Sequence, residues 1–277
     1  MQEKTQESML GRSVDYPDCY APELLQAIDR KEGRRVIGLS DHDTLPFVGA
    51  DDWTCYELSW LDESGKPRVA IGELHIPCNS PRTVESKSLK LYLNSLNEHR
   101  FATHEMLTKT VETDLREVCS AEVTFSLYSV EAYTKKGLAN PRGVSLDEQR
   151  MQRVESEPKP DILSCADEAE TVEEELYSHL FKSRCPVTNQ PDWASISISY
   201  RGKPIDHASL LGYLVSYRHH QAFHEQCLEQ IFIDIQRRCL PESLTVLARF
   251  TRRGGLDINP WRSTEKMAPG FIRQGRQ

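Results

Sequence analysis

No apolar run in the 277 residues approaches the roughly 18 to 20 that a membrane helix needs, which argues against a helical span. The N-terminal MQEKTQESMLGRS has neither the basic flank nor the apolar stretch of a secretory signal, so a cytoplasmic location with reduced thiols is expected. The eight cysteines are scattered, with no CxxC pair, and fit neither a disulfide framework nor a zinc ribbon. No GxGxxG follows a strand pattern, so a dinucleotide bound here would not be held in the Rossmann manner. An excess of one charge is also missing from most of the chain. Residues 155–175 carry nine acids against Lys159, which accounts for the whole net charge of −8. That segment reads as a solvated acidic linker broken by Pro158-Lys159-Pro160. The end from Arg249 to Arg276 is basic and could meet phosphates, but no nucleic-acid partner is demanded.

What is present describes a globular α+β protein. Hydrophobic residues make up 38% and charged residues 27%, enough to form a core in one large domain or two ordinary ones. WTCYELSWL (53–61) and PRVAIGELHIP (67–77) alternate as strands joined at Gly65-Lys66-Pro67. Helical patterns follow at about 84–97 and 104–119, and AEVTFSLYSV (121–130) reads as a strand, giving the order β-β-α-α-β. The order returns after the acidic segment in EEELYSHLFK, DWASISISY, HASLLGYLVSY, FHEQCLEQIFIDIQRRC and SLTVLARFT. KLYLNS lies over LGYLVS, matching Tyr92 to Tyr213, Leu93 to Leu214 and Ser95 to Ser216, so the chain reads as a duplication. A competing anchor, Asp52-Trp53 over Asp192-Trp193, breaks that order. The expected organisation is an extension (1–40), a first unit (41–135), a linker (136–171, acidic from 155) and a second unit (172–277).

The halves differ where chemistry would reside, and a site drawing on both is expected. Cys185 has no counterpart in the first half; it follows Arg184 in a hairpin loop open to solvent and substrate, which favours a thiolate. Asp192 begins the next strand and would lie close to it. A plain alternative is a turn-rich hairpin of Pro186, Asn189 and Pro191 with an incidental cysteine. His224-Glu225 is either a solvated helix start or a receptor for a ring edge with adjacent donors, the role falling to Glu225. Lys87 and Lys90 share a helical face, and Arg252-Arg253-Gly254-Gly255, read as ending the last strand, offers guanidiniums beside backbone that a ligand can approach. Both suit a phosphate-bearing ligand, although a basic face and a glycine turn would look the same.

VESKSLKLY, CPVTNQPDW, FHEQC and FTRRGGLDINPWR together resemble the bimodular form of the QueF family, NADPH-dependent reductases of the nitrile of 7-cyano-7-deazaguanine in queuosine biosynthesis. Every position from Glu85 to Tyr92 meets that family's signature. The resemblance implies tandem tunnelling-fold units and a homodimer, with neither membrane nor direct nucleic-acid contact and no metal. It implies Cys185 as nucleophile, Asp192 as proton donor, and Val84, Glu85, Ser86, His224 and Glu225 as substrate contacts. It further implies that Ser86, Lys87, Arg253 and Gly254 contact NADPH. Two other classes are kept: a zinc-dependent ring hydrolase of the same fold, for which Cys185 and His224 lack an evident third ligand, and a non-catalytic purine-binding protein.

Overall fold

The computed structural model describes residues 17–39, 44–151, 155–166, 168–266, 270 and 273–277. The N-terminal MQEKTQESMLGRS and Asp167 of the acidic run lie outside the described residues. In chain order the first elements are β1 (Ala27–Asp29), α1 (Arg30–Val36), β2 (Val48–Leu61), β3 (Pro67–Pro77), β4 (Arg82–Val84), α2 (Ser86–Ser95), α3 (His104–Cys119), β5 (Thr124–Tyr128) and α4 (Val130–Thr134). They are followed by β6 (Val144–Ser145), β7 (Val172–Arg184), β8 (Pro191–Gly202), α5 (His207–Ser216), α6 (His224–Cys239), β9 (Ser243–Phe250) and β10 (Leu256–Ser263).

Two compact units emerge. One holds the described chain up to Arg30, Trp53–Lys135 and Arg253–Leu256; the other holds Lys31–Asp52, Lys136–Arg252 and the described residues from Asp257 on. In the first, strands run in the order β5-β3-β2, and β1 pairs separately with β4. The turn from β2 to β3 is held by Asp62, whose carboxylate accepts from the backbone of Ser64 and Lys66 and from Arg68. Trp53, Trp60, Leu74 and Ile76 are buried in its core. In the second unit the order is β6-β7-β8-β9-β10, antiparallel except for the β6–β7 pair. The apolar stripe of α6 (Leu228, Ile231, Phe232 and Ile235) is buried there.

The duplication is written in side-chain hydrogen bonds. Tyr92 donates to Asp114 at 2.5 Å, and Tyr213 donates to Asp234 at 2.6 Å. Ser95 and Ser216 each donate to the carbonyl three residues back, at 2.6 Å in both units. Glu85 and Asp206 cap α2 and α5, accepting from Ser88 N and Ser209 N. This is the Tyr92/Tyr213 register; the Asp52-Trp53 anchor fails because Trp53 lies in β2, the first strand of its hairpin, and Trp193 in β8, the second of its own.

The repeats extend further back than expected. Pro22–Leu24 and Pro160–Ile162 are both single 3-10 turns. After them, Gln26 N donates to Ser88 Oγ and Ser164 N to Ser209 Oγ, while Glu85 N and Asp206 N donate to Gln26 O and Ser164 O. Ala27 then pairs with Val84 as Cys165 pairs with Ile205. PELLQ and PDILS are thus equivalent arms. Residues 160–165 are not solvated linker: Leu163 is fully buried, an apolar anchor that the surrounding acids masked in the composition. The acidic run also extends into β7, where Glu173 meets Arg201 across the ladder at 3.5 Å.

The strand before Arg252 is not the last. Arg253 and Leu256 bond each other's backbones across Gly254 (φ 58°) and Gly255 (φ 79°), a two-residue turn leading into β10. Positive φ at both central positions makes glycine the fitting residue. In β10 both faces are buried, so its sequence lacks the alternation of a half-exposed strand. Arg249 and Arg262 of the basic end are likewise buried rather than displayed.

Candidate functional site

The β7–β8 hairpin closes on Cys185. Its N–H donates to Gln190 O at 2.9 Å and its carbonyl accepts from Asn189 N at 3.0 Å. Asn189 sits at φ 56°, a conformation asparagine tolerates, and its side-chain oxygen accepts from Arg184 and Gln221. The segment after α5 lies along the end of β7, with Arg184 N donating to His220 O and Ala222 N to Arg184 O. Cys185 is therefore buried, at 6% exposure, not at an open hairpin tip. A sequence shows the turn but not the distant segment that covers it.

Asp192 pairs with Ser183 across the ladder, and Cys185 follows directly on the end of that strand, two residues beyond Ser183. Asp192 is 3% exposed, and His224 Nε2 stands 3.6 Å from its Oδ1. His224 and Glu225 open α6; the His224 ring meets Phe250 edge to face at 4.1 Å, and Glu225 is buried. Asp192 and His224 thus meet, and Cys185 lies in the same unit, at the end of the strand that pairs with Asp192.

Cys227, two residues beyond Glu225, belongs to the same group and was not singled out by sequence. Burial pushes its thiol up to about 12; the Asp192 and Glu225 carboxylates add to this, while the Ser183 hydroxyl pulls the other way. A thiol raised on folding stabilises the native state fully below its ordinary value near 9, and that stabilisation is lost as pH climbs towards 12. Buried Tyr213 and Tyr217, also raised, act in the same sense. The urea midpoint is expected to fall with pH above about 9, and to fall less steeply in Cys227→Ala.

The other predicted residues lie in the first unit, except that His224 and Glu225 accompany Cys185. Val84 ends β4, and Glu85 caps α2, its two oxygens accepting from Lys87 N at 2.8 Å and Ser88 N at 2.9 Å. Burial is the main cause raising the Glu85 pKa, against these bonds. Ser86 and Lys87 form the first turn of α2. Arg253 and Gly254 lie in the turn before β10, and Gly254 lines a small cleft with Glu57, Lys90 and Asn94. A Cβ on Gly254 would come within 2.5 Å of Lys90 Nζ, so the glycine leaves bare backbone beside an ammonium. That pairing suits a phosphate. Among the described residues no group of three His, Cys, Asp or Glu could hold a metal ion, and no helix is long and apolar enough to cross a membrane.

One unit holds a buried thiol with a carboxylate and an imidazole near it, a set suited to nucleophilic and acid–base chemistry, and the order β-β-α-α-β occurs in both halves of the chain. Residues 16–127 match the family described as nitrile reductase, 7-cyano-7-deazaguanine-reductase N-term, and residues 191–269 match the family of QueF-like proteins. The chain belongs to the QueF family, in its two-module form, and its fold is α+β with antiparallel strands in both units. Membership puts it among the nitrile reductases of deazaguanine and queuosine metabolism. A solved structure of the archaeosine synthase QueF-Like in the apo form is a distant likeness: 16% identity, 36% of this chain and 98% of that one covered, TM-score 0.31.

Proposed function

We propose that this protein reduces the nitrile of 7-cyano-7-deazaguanine to the aminomethyl group with NADPH, through a covalent thioimide on Cys185. The observation that carries the reading is the buried Cys185 in the β7–β8 hairpin, with Asp192 at the start of the next strand and His224 beside that carboxylate. The Cys185 sulfur adds to the nitrile carbon, and Asp192 delivers a proton to the nitrogen. Burial of both groups keeps water from hydrolysing the adduct. Glu225, with His224 and Glu85, accepts hydrogen bonds from the donor edge of the ring, while Val84 and Ser86 complete the substrate contacts. Ser86, Lys87, Arg253 and Gly254 hold the cofactor, which supplies hydride when bound; the bare Gly254 backbone beside Lys90 supports this. The chain acts as a homodimer in the cytoplasm.

Nitrile to primary amine takes four electrons, so two hydrides and two protons must be delivered, and the carbon–sulfur bond breaks after the first hydride. Mixing protein, NADPH and 7-cyano-7-deazaguanine is expected to consume two NADPH per amine with no aldehyde released. One NADPH per product, with aldehyde dominant, would sink the reading. Asp192→Ala should retain adduct but lose about 10²-fold or more in turnover, because the sulfur can attack before the reduced nitrogen needs its proton. Turnover within about threefold of wild type would remove Asp192 from the role of acid.

A further inference from the structure

Along the end of β7, Ser183 and Asp192 face inward, so alternation turns Lys182 and Trp193, which pair across the ladder, to the opposite face. Three cations gather on the Trp193 ring: Lys182 Nζ at 5.8 Å, Arg218 Cζ at 5.5 Å and Arg276 Cζ at 5.7 Å from its centroid. Arg184 stands next to them, bonded to Asn189 and His219. Their partners are neutral. Lys182 donates to Arg218 O at 3.2 Å and Arg276 to His179 O at 2.7 Å. Among the described residues, none of the four forms an ion pair with a carboxylate. Glu157 acts electrostatically on nearby His220.

This concentration stands out in a chain of net charge −8. Cation–π attraction to one indole is worth about 0.5–1 kcal/mol per exposed cation, and the heads repel one another. Desolvation lowers the Lys182 pKa first, and the neighbouring Arg184 and Arg218 lower it further. An anion would relieve the repulsion. Two guanidinium forks and an ammonium around one centre match a multiply charged, oxygen-rich group better than a single carboxylate.

We propose that Trp193, Lys182, Arg218 and Arg276 form a binding site for a small phosphate-bearing anion, made of residues other than those assigned to the cofactor. Trp193 supplies the readout, because Trp53, Trp60 and Trp261 are 1%, 1% and 6% exposed and Trp193 is half-buried. Inorganic pyrophosphate, titrated into the full chain at ionic strength held constant with potassium chloride, should give a saturable fluorescence change. Arg218→Ala and Arg276→Ala remove exposed side chains, so folding is not at risk, and each should weaken binding about tenfold. Trp193→Phe should lose the optical signal while calorimetry still detects binding. Lys87→Ala should bind pyrophosphate as wild type does, which separates this site from the cofactor's. The proposal is overturned by an equal response to potassium chloride alone, by unchanged affinity in both arginine variants, by loss of binding in Lys87→Ala, or by binding of a short single-stranded RNA without any binding of pyrophosphate.

Discussion

Cys185→Ala is expected to abolish the mass gain that the wild-type protein should show when mixed with 7-cyano-7-deazaguanine in the absence of NADPH. Addition of a thiol to a nitrile expels nothing, so the intact protein should gain the full mass of the nitrile. Seven other thiols are present, which makes the variant decisive. Cys227, the one grouped with Asp192 and Glu225, is held protonated by its surroundings and is a poor competitor at neutral pH. The substitution removes one small buried group at a loop whose shape is set by backbone bonds to Asn189 and Gln190, so the variant should fold. A full adduct on Cys185→Ala would place the nucleophile elsewhere.

The largest effect on stability is expected at Arg262. Its guanidinium is fully buried and gives Nε and Nη2 to Glu229 at 3.0 and 2.8 Å and Nη1 to the carbonyls of Ala50 and Trp261, while Asp51 Oδ1 forms an ion pair with it 2.9 Å from Nη2. Arg34 holds Glu229 from the other side at 2.8 Å, and both guanidiniums lie near the Phe47 ring. Arg262→Met keeps the volume but leaves Glu229 and two carbonyls short of a donor and removes the cation beside buried Asp51. A loss of about 3–5 kcal/mol is expected, read as a lower guanidinium chloride midpoint. Arg262→Lys restores charge without the planar fork and should fall between. A midpoint unchanged in Arg262→Met would mean that the network contributes nothing net, as happens when desolvation cancels attraction.

Much of the site could be read locally. Turn formers after Cys185, a basic residue before it and an acid where the next strand begins are all within ten residues, and a hairpin brings such neighbours together. Cys227 was legible only in part: it follows Glu225 by two, yet its involvement depends on α6 packing against the strands that carry Ser183 and Asp192. The burial of Cys185 was not legible, because the residues that cover it, around His220 and Ala222, are about 35 positions away.

The sequence by itself determined the β-β-α-α-β order twice over and the register of the copies, since periodicity reports which face an element must bury and Tyr92/Tyr213 with Ser95/Ser216 recur at one spacing. Only the tertiary structure decided that PELLQ and PDILS are arms of the repeats, that β10 follows the glycine turn, and that Arg249 and Arg262 are inside. Each of these depends on backbone or charged groups finding partners far along the chain. A buried arginine paired with Glu229 and Asp51 has the same local sequence as a solvated one, and the difference resides in partners 33 and 211 positions earlier in the chain that folding brings to it.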